Sequence, residues 1–215
     1  MTGATSAPDH NAVTTAGARS AEGLEALLRR AGAAATGEGP PPVERWNPPD
    51  CGDLDIRIAA DGLWYYLGTP IGREPLVRLF ASVLRRDEDG RYRLVTPVEK
   101  IGITVEDVPF VAVEMHATGT GAEQAITLRT NVGDIVEAGP AHPLRFEAEP
   151  DTDGVRPYVL VRGRLEARLA RPLLYELVEH GENELKDGEE WFGVWTRGVF
   201  FPMMRTAELA RLSRG

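Results

Sequence analysis

The sequence predicts an α+β fold made of two structurally related lobes, with mostly antiparallel sheets that each pack against a helix. Short runs with the two-residue periodicity of half-buried strands alternate with segments of helical periodicity. In the second half, Arg171–Val178 repeats the residue types of Arg73–Phe80 with one gap. Because order, spacing and turn residues agree between the two halves, the pattern favours an internal duplication.

The first lobe is predicted to begin with a hairpin. Leu54, Ile56 and Ile58 alternate with polar or small residues, and Asp61-Gly62 favours a turn into a second strand at Leu63–Leu67. A helix is expected around Pro75, since proline suits the first turn of a helix. Its apolar face is expected to consist of Leu76, Leu79, Phe80, Val83 and Leu84.

Further strands are predicted by the same alternation. They are expected to begin at Tyr92 and to cover Ile101–Val105, Phe110–Met115, Ala125–Arg129, Tyr158–Val161 and Arg164–Leu169. Trp191 and Trp195 share one face of a later strand, and filling the core of the second lobe is favoured there over stacking on a planar base.

The chain divides into five expected segments. Residues 1–20 contain almost no large apolar side chains, so a disordered tail is expected. An amphipathic helix from Ser20 to Arg30 then opens a segment with a proline-rich lead-in. The full division is a tail at 1–20, the helix and lead-in at 21–49, an N-terminal lobe at 50–124, a C-terminal lobe at 125–205 and a tail at 206–215.

Composition limits the classes of function. A net charge of -9 and a pI near 5.0 argue against a nucleic-acid surface, although a local basic pocket for a nucleotide remains compatible with them. The single cysteine, Cys51, forms no internal disulfide and fits a reducing compartment. No apolar run reaches the roughly 18–20 residues that span a bilayer, and the N-terminus lacks a secretory pattern. We therefore expect a cytoplasmic protein without membrane or nucleic-acid partners; its oligomeric state is not predicted.

Catalytic and metal-binding patterns are weak in this sequence. The four histidines lack the paired spacing of metal ligands, and the serines lack a nucleophile-elbow pattern. Cys51 lies in a loop rich in proline and glycine, where a small, partly buried side chain is favoured over a nucleophile. No glycine-rich phosphate loop is present. The sequence therefore predicts no catalytic residue, no metal and no cofactor.

Two polar groups are candidates for a ligand site. Asp53, Asp55 and Arg57 share one strand face. The paired carboxylates suit acid–base chemistry, but a polar strand face exposed to solvent is the favoured interpretation. Lys100, together with Arg129 and Asn131, could hold an anionic or amide-bearing ligand. A turn in which polar side chains bind the backbone is the alternative for the second group.

The sequence resembles the bacterial family DUF1285. The strings that carry the resemblance are Trp46–Arg57, Gly68–Leu84, Leu94–Lys100, Thr130–Asp134 and Trp191–Trp195, within residues 43–203. The resemblance implies a duplicated α+β architecture whose C-terminal half is loosely similar to pleckstrin-homology folds. It also implies a small-ligand site at the lobe interface, for a nucleotide-like molecule, and a role in signal transduction. The residues assigned to that site are Lys100, Arg129, Thr130, Asn131, Asp53, Arg57 and Arg73.

Three classes of function are open at this point. A ligand-binding protein with its site at the interface between the lobes leads. An enzyme that uses Asp53, Asp55 or Cys51 requires those groups to converge in one pocket. A protein–protein adaptor requires an exposed apolar patch, with the helix at 20–30 and the segment 207–212 as its docking elements.

Overall fold

The first described element of the chain is a helix that docks on the N-terminal lobe. The computed structural model describes residues 11–35, with side chains from residue 23 onward, and residues 39–149 and 154–208. Helix α1 (Asn11–Ala34) buries Leu27 and Ala31 completely. Arg30, on the same helix, forms an ion pair with the buried Glu99.

Helix α1 is longer than the sequence pattern indicated. It covers residues 11–20, where disorder was expected, and it continues past Arg30; residues 1–10 lie outside the described residues. Alanine has the highest helix propensity, and adding residues to a formed helix costs little. The alanine-rich segment before Ser20 therefore extends the helix that the docked turns nucleate.

The N-terminal lobe is a six-stranded sheet with one packed helix. Its strands are β1 (Asp50–Ile58), β2 (Trp64–Tyr66), β3 (Thr69–Pro70), β4 (Leu84–Arg86), β5 (Tyr92–Val95) and β6 (Lys100–Val105). They are arranged in the order β3-β2-β1-β6-β5-β4, and the central pair β1/β6 is parallel. Helix α2 (Glu74–Ser82) lies between β3 and β4 in the chain. Val83 and Leu84, expected on its apolar face, lie beyond its end, because Leu84 pairs with Leu94 in the sheet.

The C-terminal lobe contains a second six-stranded sheet with the same arrangement. Its strands are β7 (Phe110–Thr118), β8 (Ala125–Thr130), β9 (Ile135–Glu137), β10 (Leu144–Ala148), β11 (Val155–Arg162) and β12 (Leu165–Leu169). Their order is β9-β8-β7-β12-β11-β10, again with a parallel central pair, β7/β12. In each sheet the first three strands and the last three strands form two meanders. The first strand of the first meander pairs with the last strand of the second. The predicted α+β class and the two related lobes are confirmed.

The repeat inferred from the sequence does not follow the repeat of the strands. Helix α3 (Arg171–Glu179) comes after the sixth strand of its sheet, whereas α2 comes after the third. The similarity of the two helical segments reflects the residues that begin and bury a short helix, since each carries proline in its first turn. The lobe boundary also differs from the predicted division at residue 124, because β7 and β8 are partners in one hairpin.

A third, three-stranded sheet completes the C-terminal lobe. It consists of β13 (Glu182–Lys186), β14 (Glu189–Thr196) and β15 (Val199–Arg205). Val194, Phe201 and Met203 face the core and are buried. The half-buried Trp191 and Trp195 lie on the opposite face, so the expectation that they fill the core is wrong. Alternation along β14 allows one buried face, and the smaller residues occupy it.

The two lobes meet along a seam that is packed and hydrogen-bonded. Their buried apolar side chains form one continuous cluster. The Nη2 group of Arg162 donates to the carbonyl of Ala81 at 2.7 Å, and that of Arg168 donates to the carbonyl of Ala60 at 2.7 Å. Both arginines lie in the C-terminal lobe and both carbonyls in the N-terminal lobe. Among the described residues, no helix is long and apolar enough to cross a membrane.

Candidate functional site

A pocket of about 540 Å³ opens in the C-terminal lobe, between the ends of β11 and β12 and the first turns of α3. Its polar lining consists of Glu149, Arg156, Arg168, Arg171 and Tyr175. Its apolar lining includes Pro157, Leu169 and Leu174. The combination of an apolar wall with a few convergent polar groups is typical of small-molecule sites.

The start of α3 contributes a positive potential to this pocket. Ala170 caps the helix without any side-chain hydrogen bond, and no acidic residue lies in the first turn. The backbone N–H groups at the start of a helix carry partial positive charge that an anion stabilises. The backbone N–H of Ala170 donates to the carbonyl of Ala112 at 3.0 Å, which fixes the helix start against β7.

Among the described residues, three arginines and one glutamate line the pocket, a surplus of two positive charges in a chain of net charge -9. Arg156 Nε lies 3.4 Å from Glu149 Oε1, and Arg171 Nε lies 3.3 Å from the hydroxyl of Tyr175. The hydrogen bond to Tyr175 raises the pKa of Arg171, which keeps this guanidinium charged. Arg168 Nη1 lies 3.4 Å from Asp107 outside the pocket. The pocket is therefore a local cationic site with donors that are only partly used.

Two of the residues predicted for the site from the first lobe, Asp53 and Arg57, have ion-pair partners of their own. Asp53 forms an ion pair with Arg91 at 2.5 Å, and Arg57 pairs with Glu106. Arg73 is exposed and caps the N-terminus of α2.

Lys100 lines a second, open pocket of about 420 Å³, where its ammonium lies 4.0 Å from Asp87 Oδ2. That pocket also contains Glu44, Asp89 and Arg164. Its acidic residues outnumber its basic ones, which disfavours an anion there.

The three predicted residues of the second lobe end strand β8 and begin the turn that follows it. Arg129 pairs with Glu114, and the buried Thr130 accepts a hydrogen bond from the backbone of Asp134 at 3.0 Å. Asn131 accepts from the backbone of Val111 at 3.1 Å and donates to the Gly62 carbonyl at 3.4 Å. The structure therefore does not gather the seven predicted residues into one site.

Sequence reasoning missed Arg156, Arg168 and Tyr175 as site residues. Arg171 was noticed only as part of the apparent repeat. A usable signal was present, because an uncapped helix start without acidic residues follows directly on a strand that carries Arg168. Arg156 lies near the start of the neighbouring strand β11, but the pairing of β11 with β12 is needed to see that it is close to α3.

The three groups considered for an enzyme, Asp53, Asp55 and Cys51, do not converge in either of the two pockets described above. Cys51 is exposed, with its thiol 3.8 Å from the carbonyl of Pro49, and neither pocket is lined by Cys51, Asp53 or Asp55. Within residues 11–35, 39–149 and 154–208, no three His, Cys, Asp or Glu side chains are grouped as metal ligands. Of the two docking elements expected for an adaptor, the helix at 20–30 is packed on the core, and residues 209–215 lie outside the described residues.

Comparisons with known proteins identify relatives over most of the chain. Residues 41–108 match the description "Domain of unknown function (DUF1285), N-terminal domain", and residues 109–203 match "Protein of unknown function (DUF1285), C-terminal domain". A crystal structure of a DUF1285 family protein from Silicibacter pomeroyi DSS-3 is 50% identical, covers 86% of this chain and 98% of its own, and superposes with a TM-score of 0.78. A second, from Shewanella baltica OS155, is 28% identical over 58% of this chain and 91% of its own, with a TM-score of 0.46. No curated protein matches the chain.

Proposed function

The chain belongs to the DUF1285 family, and we propose that it binds a small anionic, nucleotide-like ligand in the arginine-lined pocket and acts in signal transduction without turning the ligand over. The observation that carries the proposal is the surplus of positive charge around the start of α3. Phosphate and carboxylate groups are the partners that arginine forks and helix N-termini recognise.

The apolar wall supports a ligand with a ring as well as a charge. Pro157, Leu174 and the ring of Tyr175 line the same pocket as the arginines. A planar base can lie against such side chains while its phosphate faces the guanidinium groups. A volume of about 540 Å³ is within the usual size range for small-ligand pockets.

The proposed site lies beside the seam rather than within it. The seam itself is occupied by direct contacts between the lobes, such as that of Asn131 with Gly62. Arg168 is the pocket residue that also contacts the N-terminal lobe. We therefore propose a position in the C-terminal lobe, next to the lobe interface, instead of the interface position that the family resemblance implies.

The test is a thermal-shift and calorimetric comparison of ADP, AMP, adenosine and inorganic pyrophosphate. We expect the phosphorylated compounds to raise the melting temperature by about 5–10 °C at a hundredfold excess over Kd, and adenosine to have no effect. Arg171→Ala and Arg156→Ala should each weaken binding about tenfold or more, because each removes a charge-assisted hydrogen bond. Chromatography of the nucleotide after incubation should show no product.

Arg129→Ala is the matched control. Arg129 is a half-buried arginine on β8, ion-paired with Glu114 and absent from the pocket lining. Its removal should leave binding unchanged. If no phosphorylated compound stabilises the protein, or if Arg129→Ala weakens binding as much as Arg171→Ala, the pocket is not the site.

A further inference from the structure

Arg168 belongs to the pocket and to the seam at once. It lines the pocket, while its Nη2 group donates to the carbonyl of Ala60 at 2.7 Å and its Nη1 group lies 3.4 Å from Asp107 Oδ2. Ala60 follows β1, and Asp107 lies in the segment that joins the lobes. A change of charge in the pocket therefore also affects the contacts that this guanidinium makes with Ala60 and Asp107.

The contact between Arg168 and Asp107 is one that an anion can displace. Charge-assisted hydrogen bonds are usually about 2.7–2.9 Å long, and this one measures 3.4 Å. Asp107 also accepts a hydrogen bond from the hydroxyl of Tyr158 at 3.2 Å. Its carboxylate therefore keeps a donor when Arg168 turns away, so that losing Arg168 costs little.

We propose that the ligand and Asp107 compete for Arg168, so that ligand binding weakens a contact between the lobes. This inference rests on the proposed function, because it assigns a regulatory output to the same pocket. Coupling of this kind is reciprocal. The factor by which the ligand weakens the contact between Arg168 and Asp107 is also the factor by which loss of that contact strengthens ligand binding.

The second arginine bridge of the seam provides an internal control. Arg162 has the same pattern, with Nη1 2.5 Å from Asp134 Oδ2 and Nη2 2.7 Å from the carbonyl of Ala81. The pocket lining does not include Arg162. Neutralising Asp134 therefore removes an equivalent seam charge without touching a pocket residue.

The experiment measures ADP binding by calorimetry in Asp107→Asn and Asp134→Asn. We expect Asp107→Asn to bind ADP about fivefold or more tightly than the unmodified protein, and Asp134→Asn to bind it equally well. A merely structural effect of the substitution would weaken binding, so the direction of the change is diagnostic. Equal affinities of the two variants overturn the inference and leave the proposed function intact.

A second measurement requires no variant. When Arg168 turns from Asp107 to the ligand, we expect its Nη2 group to leave the carbonyl of Ala60 as well, so amide hydrogen exchange of the full chain should be faster in residues 59–62 with saturating ADP than without it. Residues 81–83, beside the Arg162 bridge, should be unaffected. Unchanged exchange in residues 59–62 with ADP bound overturns the inference. Failure of ADP and pyrophosphate to bind at all overturns the inference and the proposed function together.

Discussion

Gly62, in the turn between β1 and β2, is the position at which a single methyl group should disturb the contact between the lobes most clearly. Its φ is +84°, a conformation in which a non-glycine residue costs about 1–2 kcal/mol. A Cβ built there would lie 2.8 Å from Val111 Cγ2 and 2.9 Å from Asn131 Nδ2. Both neighbours belong to the C-terminal lobe, so the collision falls on the seam.

The expected cost of Gly62→Ala follows from these two contributions. Overpacking a well-packed site by a methyl group costs about 1–3 kcal/mol, which with the backbone strain gives about 2–5 kcal/mol. For a chain of this size each kcal/mol lowers the melting temperature by about 2–4 °C, so a decrease of about 4–20 °C is expected. Chemical denaturation and differential scanning calorimetry measure the two quantities.

Gly90→Ala separates the collision from the backbone strain. Gly90 has a φ of +82°, and no heavy atom of the described residues lies within 4 Å of its Cβ position. It should lose only about 1–2 kcal/mol. Adding Val111→Ala to Gly62→Ala removes one of the colliding atoms and should recover part of the lost stability. Equal losses in Gly62→Ala and Gly90→Ala would refute the close approach of the lobes at Gly62.

Three further predictions concern the free energy of unfolding. Arg93→Ala should cost about 1.5–3 kcal/mol, because it removes the charge-assisted hydrogen bonds of a side chain that is 6% exposed, whereas the exposed Arg78→Ala should cost less than about 1 kcal/mol; equal losses would contradict this. Phe201→Ala should cost about 3–5 kcal/mol, and Phe200→Ala, on the outer face of the same strand, clearly less by the same denaturation assay. A backbone N–H group and then a guanidinium lower the pKa of Glu106 below its ordinary 4.5, so its contribution is present above that pH and is lost as the pH falls below it. Urea titrations from pH 7 to pH 3 should therefore show a smaller decrease in Glu106→Gln than in the unmodified protein.

Local patterns were sufficient for much of the fold. The alternation of Ile56 and Ile58 and the turn at Gly62 predicted the first hairpin, because these signals act between neighbours in the chain. Leu84 was assigned to a helix because it follows Phe80 by four residues, which is a helical spacing. The same spacing is also compatible with a chain that has already left the helix. Its pairing with Leu94 decides between them, and that pairing is a contact between separate segments.

The candidate site was harder to predict, because its members come from different strands. Arg156 and Arg168 are separated in sequence, and only the antiparallel pairing of β11 with β12 brings them to one pocket. In contrast, Arg129, Thr130 and Asn131 are consecutive and therefore conspicuous in the sequence. Thr130 bonds to the backbone of Asp134 in the turn after β8, whereas Asn131 bonds to Val111 of β7, so both side chains already have protein partners.

The pocket arises where the two lobes differ rather than where they agree. In both sheets the sixth strand is central and parallel to the first. In the N-terminal lobe that strand, β6, leads through Asp107 into the next lobe, and its helix was placed earlier, after the third strand. In the C-terminal lobe β12 leads directly into α3, so a helix N-terminus lies at the end of a central strand, beside Arg168. Duplication thus accounts for the scaffold, whereas the displaced helix supplies the positive potential and the apolar wall. This difference is the structural reason for proposing the anion site in the C-terminal lobe.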